Sequence, residues 1–296
     1  MKTVNVNELN KRYGIPGQFE KTDEEYYSVV NAVKESVKRD FKEKPIILIS
    51  GPSGSGKTTT AEMLESMLDV EGVSTHTVSI DNYFRTVTEA ERGNVDYESP
   101  TRVDGELLSE HIEKIARCEE VEIPIFDFVS TMRSDKTVRL KRKPDELVIF
   151  EGIHALNPSV ITAPKDTTSK IYISVRTRVS YGDKLLPPEY VRLMRRIARD
   201  KLFRGRSAEE TLKFYDEVKR GEDKYVLPFK RYADYSIDSF IGYEVGVYKS
   251  VVESDVSALA GNYETAKVLC EFLKNVKPLD PEKTPYNSLI REFIGR

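Results

Sequence analysis

An aliphatic run, Ile46-Ile47-Leu48-Ile49, ends at Ser50 and gives way to Gly51-Pro52-Ser53-Gly54-Ser55-Gly56-Lys57-Thr58-Thr59. Four aliphatic residues in a row suit a strand buried on both faces of a parallel sheet, and residues 58–64 suit the start of a helix. Between them lies Gly51-x-x-x-x-Gly56-Lys57-Thr58, the spacing of a phosphate-binding loop. Glycines let such a loop curl until its N–H groups point inward at phosphate oxygens. The helix N-terminus behind it adds partial positive charge. Lys57 can then reach the β- and γ-phosphates, and the Thr58 hydroxyl can ligate Mg²⁺. The expectation is an ATP site built from Gly51, Ser53, Gly54, Ser55, Gly56, Lys57, Thr58 and Thr59.

Strand and helix patterns alternate beyond this loop. Residues 74–80 read as a strand ending at Asp81, residues 104–116 as a helix, and 122–128 as a short strand. Residues 136–143 read as an exposed β-ribbon, 147–150 and 171–175 as buried strands, 188–219 as a helical, arginine-rich region, and 232–237 as a last strand. A closing helix is expected over 263–273, then a tail. Before the loop, Thr22-Asp23-Glu24-Glu25 has capping-box form and precedes Tyr26, Val30, Val33, Val37 and Phe41 at helical spacing, which predicts one N-terminal helix. The expected organisation is an extension over 1–44, a core over 45–250 with a lid at 188–220, and a C-terminal helix and tail over 251–296. Such alternation gives an α/β fold: a doubly wound, mainly parallel sheet of the P-loop NTPase type, with helices on both faces. Ligands of such sheets sit at the carboxyl ends of the strands. Gly51, Asp81 and Glu151 all follow strand ends, so they are expected on one rim.

Glu151 closes Leu-Val-Ile-Phe-Glu, and an acid there can hold Mg²⁺ directly or through water. Asp81 is placed to accept the proton of an attacking hydroxyl; a turn cap is the plainer role for an Asp at that point. Arg192, Arg195, Arg196, Arg199, Arg204 and Arg206 crowd a short stretch, and Arg195, Arg199 and Arg206 roughly share one helix face. Guanidinium groups suit phosphoryl oxygens, so a phosphate-facing lid is expected, against the plainer reading of surface ion pairs.

These motifs, in this order, resemble the uridine kinase and phosphoribulokinase group of P-loop kinases, and within it the uridine-cytidine kinases. The resemblance covers about residues 45–240. It rests on the phosphate loop, Asp81-Asn-Tyr-Phe84, Asp96-Tyr-Glu-Ser-Pro100 with Asp104, and Pro124-Ile-Phe-Asp-Phe128 with Arg133. Glu151-Gly152-Ile153, Arg195-Arg196-Ile-Ala-Arg199-Asp200 with Arg204-Gly205-Arg206, and Lys230-Arg-Tyr-Ala-Asp234 complete it. It implies ATP- and Mg²⁺-dependent phosphorylation of a nucleoside 5′-hydroxyl. Asp81 would match the catalytic base, with Lys57 and Arg199 assisting transfer, and Glu151 the metal-side acid. Asp96 would match the carboxylate that holds the ribose. Arg196 and Arg206 would lie on the nucleoside side, Arg199 and Arg204 nearer the phosphates.

The departures fall where the base is read. Family members carry Tyr in the Pro-x-Tyr-Asp-Phe segment and His five residues later; this chain has Phe126 and Thr131. The usual Asp-x-Phe-Tyr order is reversed at Tyr83-Phe84, and Phe214 stands near the place of a lid glutamine. Phe126, Phe128, Thr131 and Arg133 are therefore the expected acceptor-side residues of a site broader than, or different from, one for uridine and cytidine. The tail over 288–295 resembles the end of longer bacterial members that carry an extra N-terminal domain, for which the first 44 residues are too few.

Composition narrows the partners. The 46 Lys+Arg against 49 Asp+Glu leave a net charge of −3, no footprint for nucleic acid or an anionic membrane. No stretch could span a bilayer, and no apolar leader begins the chain. Cys118 and Cys270 lie far apart, and His76, His111 and His154 form no metal motif, which suits a reduced, cytoplasmic setting. A small-molecule nucleoside is the expected partner, and homo-oligomerisation is left open. Two rivals stand: a kinase of another small alcohol, such as a phosphorylated sugar or pantothenate, and a nucleotide-dependent sensor without phosphotransfer. Asp96 and Phe126-Asp127-Phe128 favour a nucleoside over the first, and the presence together of Lys57, Thr58, Asp81 and Glu151 disfavours the second.

Overall fold

The computed structural model describes residues 2–89, 95–128, 130–162 and 165–295. The chain enters through strand β1 (Thr3–Asn5) and helix α1 (Val6–Arg12), then the long helix α2 (Gln18–Asp40). Strand β2 (Ile46–Ser50) leads through the phosphate loop into α3 (Lys57–Val70), followed by β3 (Thr75–Ser79) and α4 (Gly105–Ala116). The ribbon β4 (Val121–Asp127) and β5 (Met132–Leu140) precedes β6 (Leu147–Glu151), β7 (Thr168–Ser174), β8 (Arg178–Tyr181) and β9 (Lys184–Leu186). The arginine-rich region forms α5 (Pro188–Phe203), α6 (Ala208–Lys213) and α7 (Tyr215–Tyr225). Strand β10 (Tyr235–Asp238), α8 (Glu244–Leu259), α9 (Glu264–Leu273) and the short α10 (Arg291–Ile294) complete the order.

The central sheet has five parallel strands in the order β10-β7-β2-β6-β3, with the phosphate-loop strand in the middle. Side chains alternate across it, as strand geometry requires. Ile47 and Ile49 of β2 join a core with α2, α3, α5, α8 and α9, whereas Ile46 and Leu48 join a second core with α4. Both faces are thus covered, which is why β2 is aliphatic throughout. A β1-β8-β9 sheet ties the N-terminus to residues 178–186. The exposed ribbon is β5 itself, antiparallel to β4, and it starts earlier than expected, at Met132.

Two expectations need correction. The N-terminal helix begins at Gln18 behind Gly17, and the Thr22 hydroxyl donates to the Gln18 carbonyl inside the helix, so it caps nothing. Asp23 instead accepts hydrogen bonds from Tyr243 and Ser288 in the interior, where burial pushes its carboxyl up to about 6. The stretch expected as a lid over 188–220 also divides. Val191, Leu193, Met194, Ile197 and Ala198 put α5 in the main core, while residues 201–207 are exposed.

Candidate active site

The phosphate loop follows from local backbone demands. Gly54 and Gly56 have φ of 72° and 84°, left-handed conformations that glycine adopts without strain. At Gly51 a Cβ would lie 1.9 Å from the Ile173 carbonyl oxygen, so only glycine fits between the loop and β7. The first N–H groups of α3 have no partner within the helix. Lys57 Nζ folds back onto the Pro52 carbonyl at 3.3 Å.

The carboxyl ends of β2, β3 and β6 bring Lys57, Asp81 and Glu151 together. Asp81 sits in the 3₁₀ turn directly after β3, half-buried. Desolvation, then the negative charge of Glu151, pushes its carboxyl up to about 6, against the pull of Lys57 and Arg204. Glu151 is raised as well, first by burial, while Lys57 and the hydroxyls of Ser79 and Thr58 work the other way. A carboxylate and a hydroxyl side by side at the head of α3 fit one edge of a Mg²⁺ shell, since Mg²⁺ keeps several waters. The loop's close-fitting backbone and the buried Ser55 Oγ and Arg196 Nε, which make no hydrogen bond, fit a polyphosphate, with Arg199 Nε held only by Asp200 at 3.6 Å.

The arginines separate by depth. Arg196 Nη1 donates to Ser53 Oγ at 2.5 Å, so it meets the phosphate loop and not, as expected, the nucleoside side; desolvation, then the charge of Arg204, lowers the Arg199 guanidinium to about 10. Arg204 faces Asp200 at 3.6 Å and its charge reaches Asp81. Arg195 does not share the phosphate-facing side: it is 0% exposed, donating to Glu244, to Ser239 and to the Gly54 carbonyl. Arg192 pairs with Glu222 through two 2.8 Å bonds. Arg206 is exposed, and the structure does not bring its guanidinium to the others; its charge is felt by Glu210.

On the acceptor side, α7 rests on the loop that carries Asp96. Tyr225 donates to Asp96 Oδ2 at 3.1 Å, and a Cβ on Gly221 would lie 2.4 Å from the Glu98 Cβ. An open pocket of about 320 Å³ lies there between Asp96, Glu217, Arg220, Gly221, Lys224 and Tyr225. Glu98 reaches inward; desolvation pushes its carboxyl up to about 7 against Arg196 and Lys57, and its Oε2 has no partner. His154, two residues past Gly152, is buried beside the Glu98 and Tyr225 backbone, and desolvation brings it down to about 4 against the pull of those backbone groups. Sequence reasoning missed Glu98, His154 and Glu222. Glu98 lay inside a quoted motif, but its depth depends on α7, which arrives from over a hundred residues away.

The rings of Phe84, Phe126 and Phe128 meet edge-to-face, with centroids 5.2–6.4 Å apart. The reversed Tyr83-Phe84 order sets this cluster: Tyr83 turns into the core to the His111 ring nitrogen at 3.0 Å, Phe84 packs half-buried on that core, Phe126 is 7% exposed, and Phe128, at 60%, is the ring that faces out. The Asn82 side chain accepts the Phe126 N–H at 3.4 Å, which ties the ribbon to the neighbour of Asp81. Thr131 takes a left-handed φ of 58° and turns its hydroxyl back onto the Ser130 carbonyl. Arg133 is held by Asp104 and the Tyr83 carbonyl, so it braces the ribbon.

A family model matches residues 46–242, the phosphoribulokinase / uridine kinase family. The chain belongs to that family. The uridine kinase of Staphylococcus aureus strain JH9 is 34% identical over 198 residues, 66% of this chain and 87% of that protein, and strain Newman gives the same match. Among solved structures, that of YGR205w protein superposes with a TM-score of 0.50 at 18% identity, over 69% of this chain and 89% of that one, a likeness of fold alone. As a member of the phosphoribulokinase / uridine kinase family, the chain is a phosphotransferase with an alcohol acceptor. Among the described residues, no helix is long and apolar enough to cross a membrane.

Proposed function

We propose that this family member phosphorylates the 5′-hydroxyl of a ribonucleoside, with a base preference broader than, or different from, uracil and cytosine. The observation that carries the reading is the meeting of Lys57, Asp81 and Glu151 at adjacent strand ends, with the Phe84, Phe126 and Phe128 cluster tied to Asn82 beside Asp81. Bound ATP and Mg²⁺ would supply the γ-phosphoryl group and neutralise its spreading charge. Lys57, Ser53, Gly54, Ser55 and the α3 N-terminus, from Thr58 to Thr59, hold the phosphates. Thr58 and Glu151 would hold Mg²⁺ at the head of α3. Asp81 accepts the hydroxyl proton, its raised pKa suiting a base that works near neutrality. Arg196, Arg199 and Arg204 offset charge on the transferring group. Asp96 takes the ribose hydroxyls, for which its Tyr225 bond gives way or turns, and Arg206 would come in only as residues 201–207 move. Phe128, 60% exposed and backed by the buried Phe126, gives a base a stacking face without a hydrogen-bonding edge.

The test is ADP release by the purified protein with Mg-ATP against a panel of ribonucleosides, deoxyribonucleosides, phosphorylated sugars and pantothenate. Release that depends on ribonucleosides, purines included, supports the reading. Release driven only by a sugar phosphate or pantothenate replaces it with a kinase of another alcohol.

A further inference from the structure

The C-terminal segment does not trail away from the core; it folds over the phosphate loop. Leu289, Ile290 and Phe293 are buried, and a Cβ on Gly56 would lie 2.8 Å from Leu289 Cδ1. The Arg195 guanidinium stands 5.1 Å from the Phe293 ring centroid. Ser288 donates to Asp23 at 3.0 Å and shares a 2.7 Å bond with Tyr243. Between these anchors, Glu292 Oε2 accepts the Thr59 hydroxyl at 2.7 Å and the Thr59 N–H at 3.4 Å.

Thr59 is the third residue of α3, so its N–H has no partner within the helix. It is one of the first-turn donors over which a phosphate loop seats its anion. A phosphate oxygen and the Glu292 carboxylate are both negative and need the same donor. They cannot both have it. The segment's backbone is fixed by buried apolar side chains on either side of Glu292, whereas the Glu292 side chain is only half-buried and has room to turn. Arg199, half-buried, feels its charge, so a cation stands near a displaced carboxylate, while Arg195 stays committed to Glu244.

We infer that Glu292 is a built-in competitor for the donor's phosphates: it occupies Thr59 in the free enzyme, leaves when the donor binds, and so sets donor affinity. The inference rests on the phosphate loop being the donor site. It assigns the tail a role at the site, and it makes donor affinity adjustable from a segment far from the loop in sequence.

The test is calorimetric titration of ADP into the wild type, Glu292→Gln and Glu292→Ala, with thermal unfolding of each protein with and without saturating ADP. Removing a charge-assisted competitor should tighten ADP binding by about five- to tenfold in both variants. Losing a carboxylate from the head of α3 should lower the melting temperature of the free variants. That deficit should shrink or vanish in saturating ADP, because the wild type has then lost the same contact. ADP affinity that is unchanged or weaker in the variants, with the melting deficit intact in ADP, would overturn the inference alone and make Glu292 a permanent strut. A folded wild type that does not bind ADP would overturn the donor-site reading, and the inference with it.

Discussion

Arg195 and Arg196 are adjacent in α5 yet do opposite things. Arg195 is sealed beneath the phosphate loop against Glu244 at 2.7 Å, while Arg196 rises to the Ser53 hydroxyl of the loop itself. Arg195 also donates to the Gly54 carbonyl, so the charge that braces the loop from below is not one that can meet a ligand. Removing one member of a buried ion pair strands the other, so Arg195→Ala should cost about 3–5 kcal/mol of stability. Arg196→Ala should leave unfolding nearly unchanged but, on the proposed function, lower kcat/KM by about tenfold or more, since its guanidinium reaches the phosphate loop at Ser53. Chemical denaturation and steady-state kinetics of the two variants check the contrast.

Asp81→Asn should keep nucleotide binding nearly intact and lower kcat by about 10²-fold or more, as loss of a general base does. Lys57→Ala should damage both phosphate binding and turnover. ADP titration beside turnover separates the two. Wild-type turnover in Asp81→Asn would remove that residue from the mechanism.

The raised carboxyl of Asp81 gives a pH signature. A general base works only when deprotonated. With its pKa lifted to about 6, activity should therefore fall as pH drops through about 6, not in the ordinary carboxylate range. The acid limb of the kcat/KM profile reports this group in the free enzyme. The limb should be missing from the residual activity of Asp81→Asn.

Base selectivity should respond to the ribbon. An apolar surface discriminates by only about 1–3 kcal/mol for a methylene-sized change, whereas a polar reader rejects an unmatched base far more strongly. Phe126→Tyr combined with Thr131→His should shift preference toward uridine and cytidine. Asp96→Ala should raise KM for every accepted ribonucleoside. Strong wild-type selectivity for uridine over purine nucleosides would show that other residues, with Glu98 and His154 the nearest candidates on the structure, read the base.

Features set by short stretches of chain were legible in the sequence. The β2–loop–α3 unit was, because an aliphatic run, glycines at fixed intervals and a lysine act within 15 residues. The strand ends at Asp81 and Glu151 followed from the same local patterning. Features that depend on distant partners were not. Strand β1 pairs with β8 across about 175 residues, from Thr3 to Arg178, and neither strand is long enough to announce itself. Helix α8 is buried on every side over Glu244–Tyr248 and on one side only beyond it, which blurs the stripe by which helices are recognised. Helical spacing grouped Arg195 with Arg199 but could not say that Glu244 would draw Arg195 inward. The Glu292–Thr59 contact spans 233 residues and has no local trace.

The central claim is that the phosphoryl group moves to the 5′-oxygen of a ribonucleoside under the control of Asp81. The most direct measurement is phosphorus NMR with mass spectrometry of the product formed from Mg-ATP and the best ribonucleoside, by the wild type and by Asp81→Asn. The account predicts a nucleoside 5′-monophosphate from the wild type, formed about 10²-fold or more slowly by the variant. A product phosphorylated elsewhere, no nucleoside product at all, or equal rates from the two proteins would contradict it.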